Sequence, residues 1–399
     1  MTSTTMSVTG THSALDLDRV AFGLLLAFVA ALQISIAVSH VLLAATLLCW
    51  AALLARERAR PQAPSFFLPL AAYAAWTLVA TLFSFNFGVS FVDDKQLLLF
   101  LIVPAVYHLA RGERAGTVID IIVSVGAASA AVGIIQYGVL HYDNLGQRPQ
   151  GVLTHYMTYS GVLMLVICAA TARLVFGRRD RIWPAIVMPA LVVALALTYT
   201  RGTMIGVCAA AALLLALRNL RLVLLVPVLI AVMFAVAPGG ITTRMASMFN
   251  LQDPTVRDRV AMMHAGAAII KQQPLTGIGP DMVPRMYGEF RHESAVLEVN
   301  PHLHNVPLQI AAERGLPAVA IWLWFVVSVA ASAWRLFRAE GHRVLPATAL
   351  GAVVAMLAAG MFEYNFGDSE FLMLFLVLIT LPFAAARDRT PGLPSYSNG

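Results

Sequence analysis

His302-Leu303-His304-Asn305 closes a polar stretch that begins at Pro238 and lies between long apolar runs. Imidazole titrates close to neutral pH and is the usual side chain for taking a proton from a hydroxyl group. His304 directly precedes Asn305 and Pro307, which have the residue types of a helix cap and first turn. A rigid element would therefore hold it at the mouth of an apolar run, as a candidate general base. The alternative is a histidine that only hydrogen-bonds loop backbone. His302 is expected to face differently, and a His-x-His zinc pair would need a third ligand that the sequence does not offer. No metal site and no cofactor are expected.

Fixed positive charge is the complementary chemistry. Tyr199-Thr200-Arg201-Gly202 joins two apolar runs with almost no loop between them, so the Arg201 guanidinium must lie at membrane depth or just above it. An ionisable group so placed is costly and is usually functional or paired, and Gly202 would let a ligand approach the backbone. Lys95, Arg148, Arg257 and Arg259 are further candidates for an anionic ligand, phosphate above all, because a guanidinium presents a planar fork of donors and stays charged where water is scarce. Glu363-Tyr364-Asn365-Phe366-Gly367-Asp368-Ser369-Glu370 is a second polar cluster, in which Asp368 and Glu370, with Asn305, are candidates for holding sugar hydroxyls.

The elements that must position these groups follow from composition. With 59% hydrophobic and 12% charged residues in 399, the chain is too apolar for a soluble globule. The fold class expected is all-α: a polytopic integral membrane protein with about twelve transmembrane helices and one large extracytoplasmic loop. The spans are drawn at roughly 20–36, 38–55, 66–85, 95–109, 117–138, 157–176, 182–199, 203–217, 220–237, 306–334, 344–362 and 371–386. Residues 1–19 form a tail read as disordered, 20–237 carry spans one to nine, 238–305 the large loop, 306–386 the last three spans, and 387–399 a second tail. Arginines gather at every second junction, among them Arg56, Arg111, Arg178, Arg218, Arg335 and Arg387, which marks that side as cytoplasmic. The net charge of +6 is mostly this topology signal and implies no nucleic-acid partner.

Basic residues on the other side have no such reason to be there: Lys95, Arg148, Arg201, Arg244, Arg257, Arg259, Lys271, Arg285, Arg291 and Arg314. They either bind an anion or pair with acids of the same loop. Within that loop, Asp253-Pro254 predicts a helix start and Gln273-Pro274 its end. Val256, Val260, Met263, Ala267 and Ile270 supply its apolar stripe. Arg257 and Arg259 stand about 200° apart on it, so at most one touches a shared phosphate, and Arg257 is preferred because it shares its edge with His264 and Lys271. Pro274-Leu275-Thr276-Gly277-Ile278-Gly279-Pro280 is turn-rich and, with no Walker lysine after it, carries no nucleotide signature.

Tyr199-Thr200-Arg201-Gly202, Pro274 through Gly279, His304-Asn305 with Glu313-Arg314-Gly315, and Glu363 through Glu370 together resemble the bacterial O-antigen ligases, within a superfamily that also holds O-antigen polymerases and protein O-oligosaccharyltransferases. The resemblance implies a metal-independent, inverting glycosyltransferase on the periplasmic face of the inner membrane. Its donor would be O-antigen on undecaprenyl pyrophosphate, and its acceptor a sugar hydroxyl of the lipid A-core oligosaccharide. By this resemblance His304 is the general base, and Arg201 with a loop arginine binds pyrophosphate. Partners are thus two lipid-linked glycans and membrane lipids. A polymerase or protein oligosaccharyltransferase of the superfamily is the alternative, and a lipid-linked glycan transporter the alternative outside enzymes.

Overall fold

The structure, a computed structural model, describes residues 9–144, 146–178, 181–236, 254–339, 341 and 343–387. The described residues are all-helical: α1 Thr9–Ala31, α2 Ile36–Glu57, α3 Phe67–Leu82, α4 Phe87–Asp93, α5 Ile102–Leu109, α6 Arg114–Gly138, α7 Tyr156–Phe176, α8 Ile182–Leu197, α9 Arg201–Arg218, α10 Leu225–Val236, α11 Pro254–Gln272, α12 Val283–Phe290, α13 Val306–Arg338, α14 Val344–Gly360 and α15 Ser369–Ala386. Six of these helices are long and apolar enough to cross a membrane, and four shorter apolar segments accompany them. This is the architecture of a polytopic helical membrane protein. Exposed Val41, Leu48, Leu68, Leu78, Ile186, Leu323 and Val327 give the bundle an apolar outer surface suited to lipid.

α15 is the centre. Every residue from Phe371 to Pro382 is buried, and the helix packs against α5, α6, α7 and α14. α14 joins it to α9 and α7, and α13 packs along α3. Phe66, Tyr73, Trp322 and Phe325 pack as edge-on or tilted rings with Phe366 or with one another beside this core.

Several elements differ from expectation. The N-terminal tail is helical from Thr9, and Asp18 is buried because Arg111 and Arg114 clasp its carboxylate. The span drawn at 95–109 is not one helix. Asp94 accepts a hydrogen bond from Thr81 and Asp93 one from Gln96, and the chain runs through 3-10 turns at Asp94–Leu101 before α5. The ninth span likewise begins as a 3-10 turn at Leu220–Leu224.

α13 carries a kink at Gly315, whose φ of 78° is left-handed, followed by Pro317 without an N–H. The carbonyls released there are not wasted. Ile278 and Gly279 donate their N–H groups to the carbonyls of Ala312 and Glu313 at 2.9 and 3.0 Å, and Leu316 donates to Pro274 at 2.8 Å. Pro274–Pro280 is thereby a strap woven into the broken helix, and its far side is held by Phe85 N–H and by Ser90. A Cβ on Gly315 would meet the Leu275 carbonyl oxygen at 1.9 Å, which is why glycine is required.

Candidate active site

The site lies where the first turns of α7, α9, α13 and α15 meet the end of α14. Each junction has a local cause. Before α7, Gln136 accepts from the N–H groups of Gln150 and Gly151 and fixes the loop that carries Arg148 and His155. The α8–α9 joint is as short as expected because Tyr199 takes a left-handed φ of 57° and Thr198 Oγ1 accepts from the Thr200 N–H. Asn305 caps α13, accepting from Leu308 N–H at 2.9 Å while donating to the Met361 carbonyl at 3.1 Å. Asp368 caps α15, accepting from Phe371 N–H at 3.0 Å.

His304 sits immediately before the cap with a left-handed φ of 49°. That reversal overturns the expectation that the two histidines face apart: the rings of His302 and His304 meet edge-on, centroids 4.1 Å apart. Nδ1 of His304 lies 2.9 Å from Oε2 of Glu363, and the other carboxylate oxygen accepts from Nη2 of Arg259 at 3.1 Å. Since a carboxylate only accepts, Nδ1 carries the proton and Nε2 keeps its lone pair. Burial opposes the Glu363 charge, but the hydrogen bond from His304 and the Arg259 guanidinium outweigh it, and the carboxyl is held below its usual value. Burial, reinforced by His304, pushes His302 down to about 4, so it is neutral at physiological pH.

The arginines separate. Arg259 reaches Glu363, while Arg257 donates instead to the Ser294 carbonyl on the exposed far edge of the helix. The predicted stripe is corrected: α11 is rotated from it, so that Arg259 and not Arg257 is the one that reaches Glu363. It buries Asp258, Ala261, Met262, Ala265, Gly266 and Ile269, with Val260 and Met263 exposed. Small residues let α11 press onto Leu308 of α13, and Asp258 is tolerated inside because it accepts from the N–H groups of Val296 and Leu297. Arg201 is buried at the first position of α9, and its neighbour Gly202 abuts Phe362 and Glu363. Arg148 lies over the Tyr156 ring at 4.2 Å, and Tyr156 in turn stacks on His155. Lys95 is exposed beside Asp93, apart from this cluster. Arg285, Arg291 and Arg314 pair with acids of their own neighbourhood, Asp281, Glu298 and Glu313 with Asp93. Arg244 lies outside the described residues.

A cavity of about 170 Å³ opens against Glu363 and His302, lined also by His155, Thr158, Thr203 and Asp368. Asp368 accepts from Thr158 as well as capping α15, and burial pushes its carboxyl up. Glu370 is buried and accepts from Ser369 at 2.9 Å, and Asn305 has both ends of its amide committed to backbone. Glu363 as partner of His304 and the His155–Thr158 wall were not singled out from the sequence. The available signal was position, a polar residue at each helix mouth on the side away from the arginine-rich loops.

Residues 185–323 match the family described as O-antigen ligase. The stretch runs from α8 to the middle of α13 and contains Arg201, Arg259, His304 and the Pro274–Gly279 strap. Over this stretch, about a third of the chain, the protein is similar to the O-antigen ligase family. Arg148, His155, Glu363 and Asp368 lie outside the matched stretch. No curated protein matches the chain.

Proposed function

We propose that this protein is an O-antigen ligase, transferring polysaccharide from undecaprenyl pyrophosphate to a sugar hydroxyl of lipid A-core oligosaccharide on the periplasmic face of the inner membrane. The observation that carries the reading is the His304–Glu363 pair, set at the mouth of a cavity beside Arg259 and the start of α9. His304 Nε2 takes the proton of the acceptor hydroxyl as its oxygen attacks the anomeric carbon. The bond from that carbon to the pyrophosphate oxygen breaks on the opposite side, inverting the centre, and undecaprenyl pyrophosphate leaves with the electron pair. Glu363 holds the ring in the productive tautomer and stabilises the imidazolium that forms, as an orienting carboxylate does in hydrolytic triads.

The leaving group needs fixed positive charge. Arg201 and Arg259 are assigned to the pyrophosphate, with Arg148 at the edge. Of the four helices that begin at the site, α7, α13 and α15 have side-chain caps, whereas Thr200 makes no side-chain cap bond on α9. The first turn of α9 therefore offers backbone donors and the positive end of a helix dipole next to Arg201. These arginines supply the charge that a metal provides elsewhere.

Incubating the purified protein with polyprenyl-pyrophosphate glycan and rough lipopolysaccharide is the test. A ladder of glycan-bearing lipopolysaccharide is expected. Chain extension of the polyprenyl-linked glycan instead would make it a polymerase. Orientation is tested by Arg285→Cys and Arg178→Cys, of which only the first should react with an impermeant thiol reagent in spheroplasts.

A further inference from the structure

The cavity and the arginine side of the site have opposite chemistry. The cavity wall presents the carboxylates of Asp368 and Glu363, the Thr158 hydroxyl and the imidazoles of His155 and His302, with the Phe371 ring as an apolar surface. Among the described residues, no arginine or lysine lines it. Asp368 caps α15 with one oxygen and accepts from Thr158 with the other, and with a further backbone bond from Glu370 it keeps about one acceptor position for an outside donor. His302 Nδ1 is buried without a hydrogen-bond partner in the same wall. A polar group left so is costly unless something meets it.

Size and position narrow the occupant. The space of about 170 Å³ corresponds to roughly five or six water molecules, the scale of one six-membered ring. Its lining includes Glu363 and His302, both of which touch His304. An inverting displacement keeps the attacking oxygen and the leaving group on opposite sides of the carbon, so the acceptor must sit where its hydroxyl reaches His304, and the cavity adjoins both Glu363 and His302, which touch that ring. A phosphate or carboxylate in the cavity would face the Asp368 carboxylate with no arginine or lysine in the lining, and the cation nearest Glu363, Arg259, is already paired with it, which disfavours an anionic occupant.

We propose that the cavity binds the receiving sugar of the acceptor as an uncharged ring, with Asp368, positioned by Thr158, gripping its hydroxyls so that one of them reaches His304. This rests on His304 being the base, and it adds a specificity rule: a sugar carrying phosphate or carboxylate is rejected at the receiving position.

The test measures transfer at saturating polyprenyl-pyrophosphate glycan while rough lipopolysaccharide is varied. Asp368→Asn keeps an oxygen for the helix cap, where Asn serves as well as Asp, so α15 should still form. It should raise the acceptor KM about tenfold, the scale of one hydrogen bond to a charged group, and leave the donor KM unchanged. Thr158→Val, which does not touch the cap, should raise the acceptor KM several-fold. With a synthetic single-hexose lipid acceptor and its 6-phosphate, wild type should prefer the neutral form strongly and Asp368→Asn much less. Unchanged acceptor KM in folded Asp368→Asn and Thr158→Val, or equal use of the two synthetic acceptors by wild type, overturns the proposal. If His304→Ala is inactive in that case, the base assignment stands and only the cavity's occupant is wrong. An active His304→Ala removes the base itself and this proposal with it.

Discussion

Two arginine–glutamate clusters flank the N-terminal half of α13, and only one of them has room for a substrate. Arg314 is buried between Glu313 at 2.8 Å and Asp93 at 3.3 Å, against a space of about 30 Å³, with the strap Pro274–Pro280 hydrogen-bonded to the same turn. Arg259 and Glu363 make a similar ion pair at 3.1 Å, but Glu363 also holds His304 and faces a cavity of about 170 Å³. Charge alone therefore does not mark a site. In the first cluster every partner is protein and the backbone is locked around it; in the second, a titratable nitrogen is left over and there is space next to it.

That contrast can be broken by mutation, starting from the largest effect. His304→Ala should lower the rate of transfer by about 10²- to 10⁴-fold while donor binding and thermal stability in detergent stay near wild type, since Arg259 still pairs with Glu363. Arg201→Lys keeps the charge but loses the fork, and should weaken donor binding as well as transfer. Arg314→Met should do the reverse of His304→Ala. Leaving Glu313 and Asp93 unpaired inside the bundle should cost about 3–5 kcal/mol of stability, seen as a lower melting temperature and less folded protein, with transfer per folded molecule retained. A folded, cold-stable Arg314→Met without activity would place chemistry in that cluster and end the distinction.

Smaller effects sharpen it. Between the ordinary histidine value of about 6.5 and about 4, His302 is protonated in the unfolded chain and neutral in the folded one. The unfolded state binds the extra proton, so stability should fall as pH drops through that window. His302→Gln should flatten this part of the melting-temperature profile; an unaltered slope would mean that other groups carry it. EDTA should leave transfer unaffected, and loss of activity restored by magnesium would mean that the leaving group is stabilised by a metal and not by Arg201 and Arg259.

Much of the fold was legible because span length and arginine spacing are properties of the chain itself. The helix Pro254–Gln272 ends where Gln273-Pro274 predicts, and the Tyr199–Gly202 joint is as tight as its lack of loop residues requires. What was not legible depended on tertiary contacts. Apolar periodicity put Val260 and Met263 inward, yet close packing on Leu308 selects the small face of Ala261, Ala265 and Gly266. A helix facing lipid or interface on its outer side gives periodicity no reason to point large residues to the protein. The kink at Gly315 was hidden for a similar reason, since its freed carbonyls are satisfied by a strap some forty residues earlier in the chain. Glu363 lies 59 positions from His304, and the cap contact of Asn305 with Met361 and the packing of Val306 on Gly360 bring the two together.

The central claim is that His304 and Glu363 act as one unit, and a double-mutant cycle in single-turnover transfer tests it most directly. Purified wild type, His304→Ala, Glu363→Gln and the double variant are preloaded with polyprenyl-pyrophosphate glycan and mixed with rough lipopolysaccharide. If Glu363 works only through the imidazole, Glu363→Gln alone slows transfer by about 10- to 100-fold, the loss typical of an orienting partner. The double variant then transfers no more slowly than His304→Ala, because residues of one catalytic unit are not additive. Losses that multiply would show two independent roles, and transfer at the wild-type rate by His304→Ala would contradict the account outright.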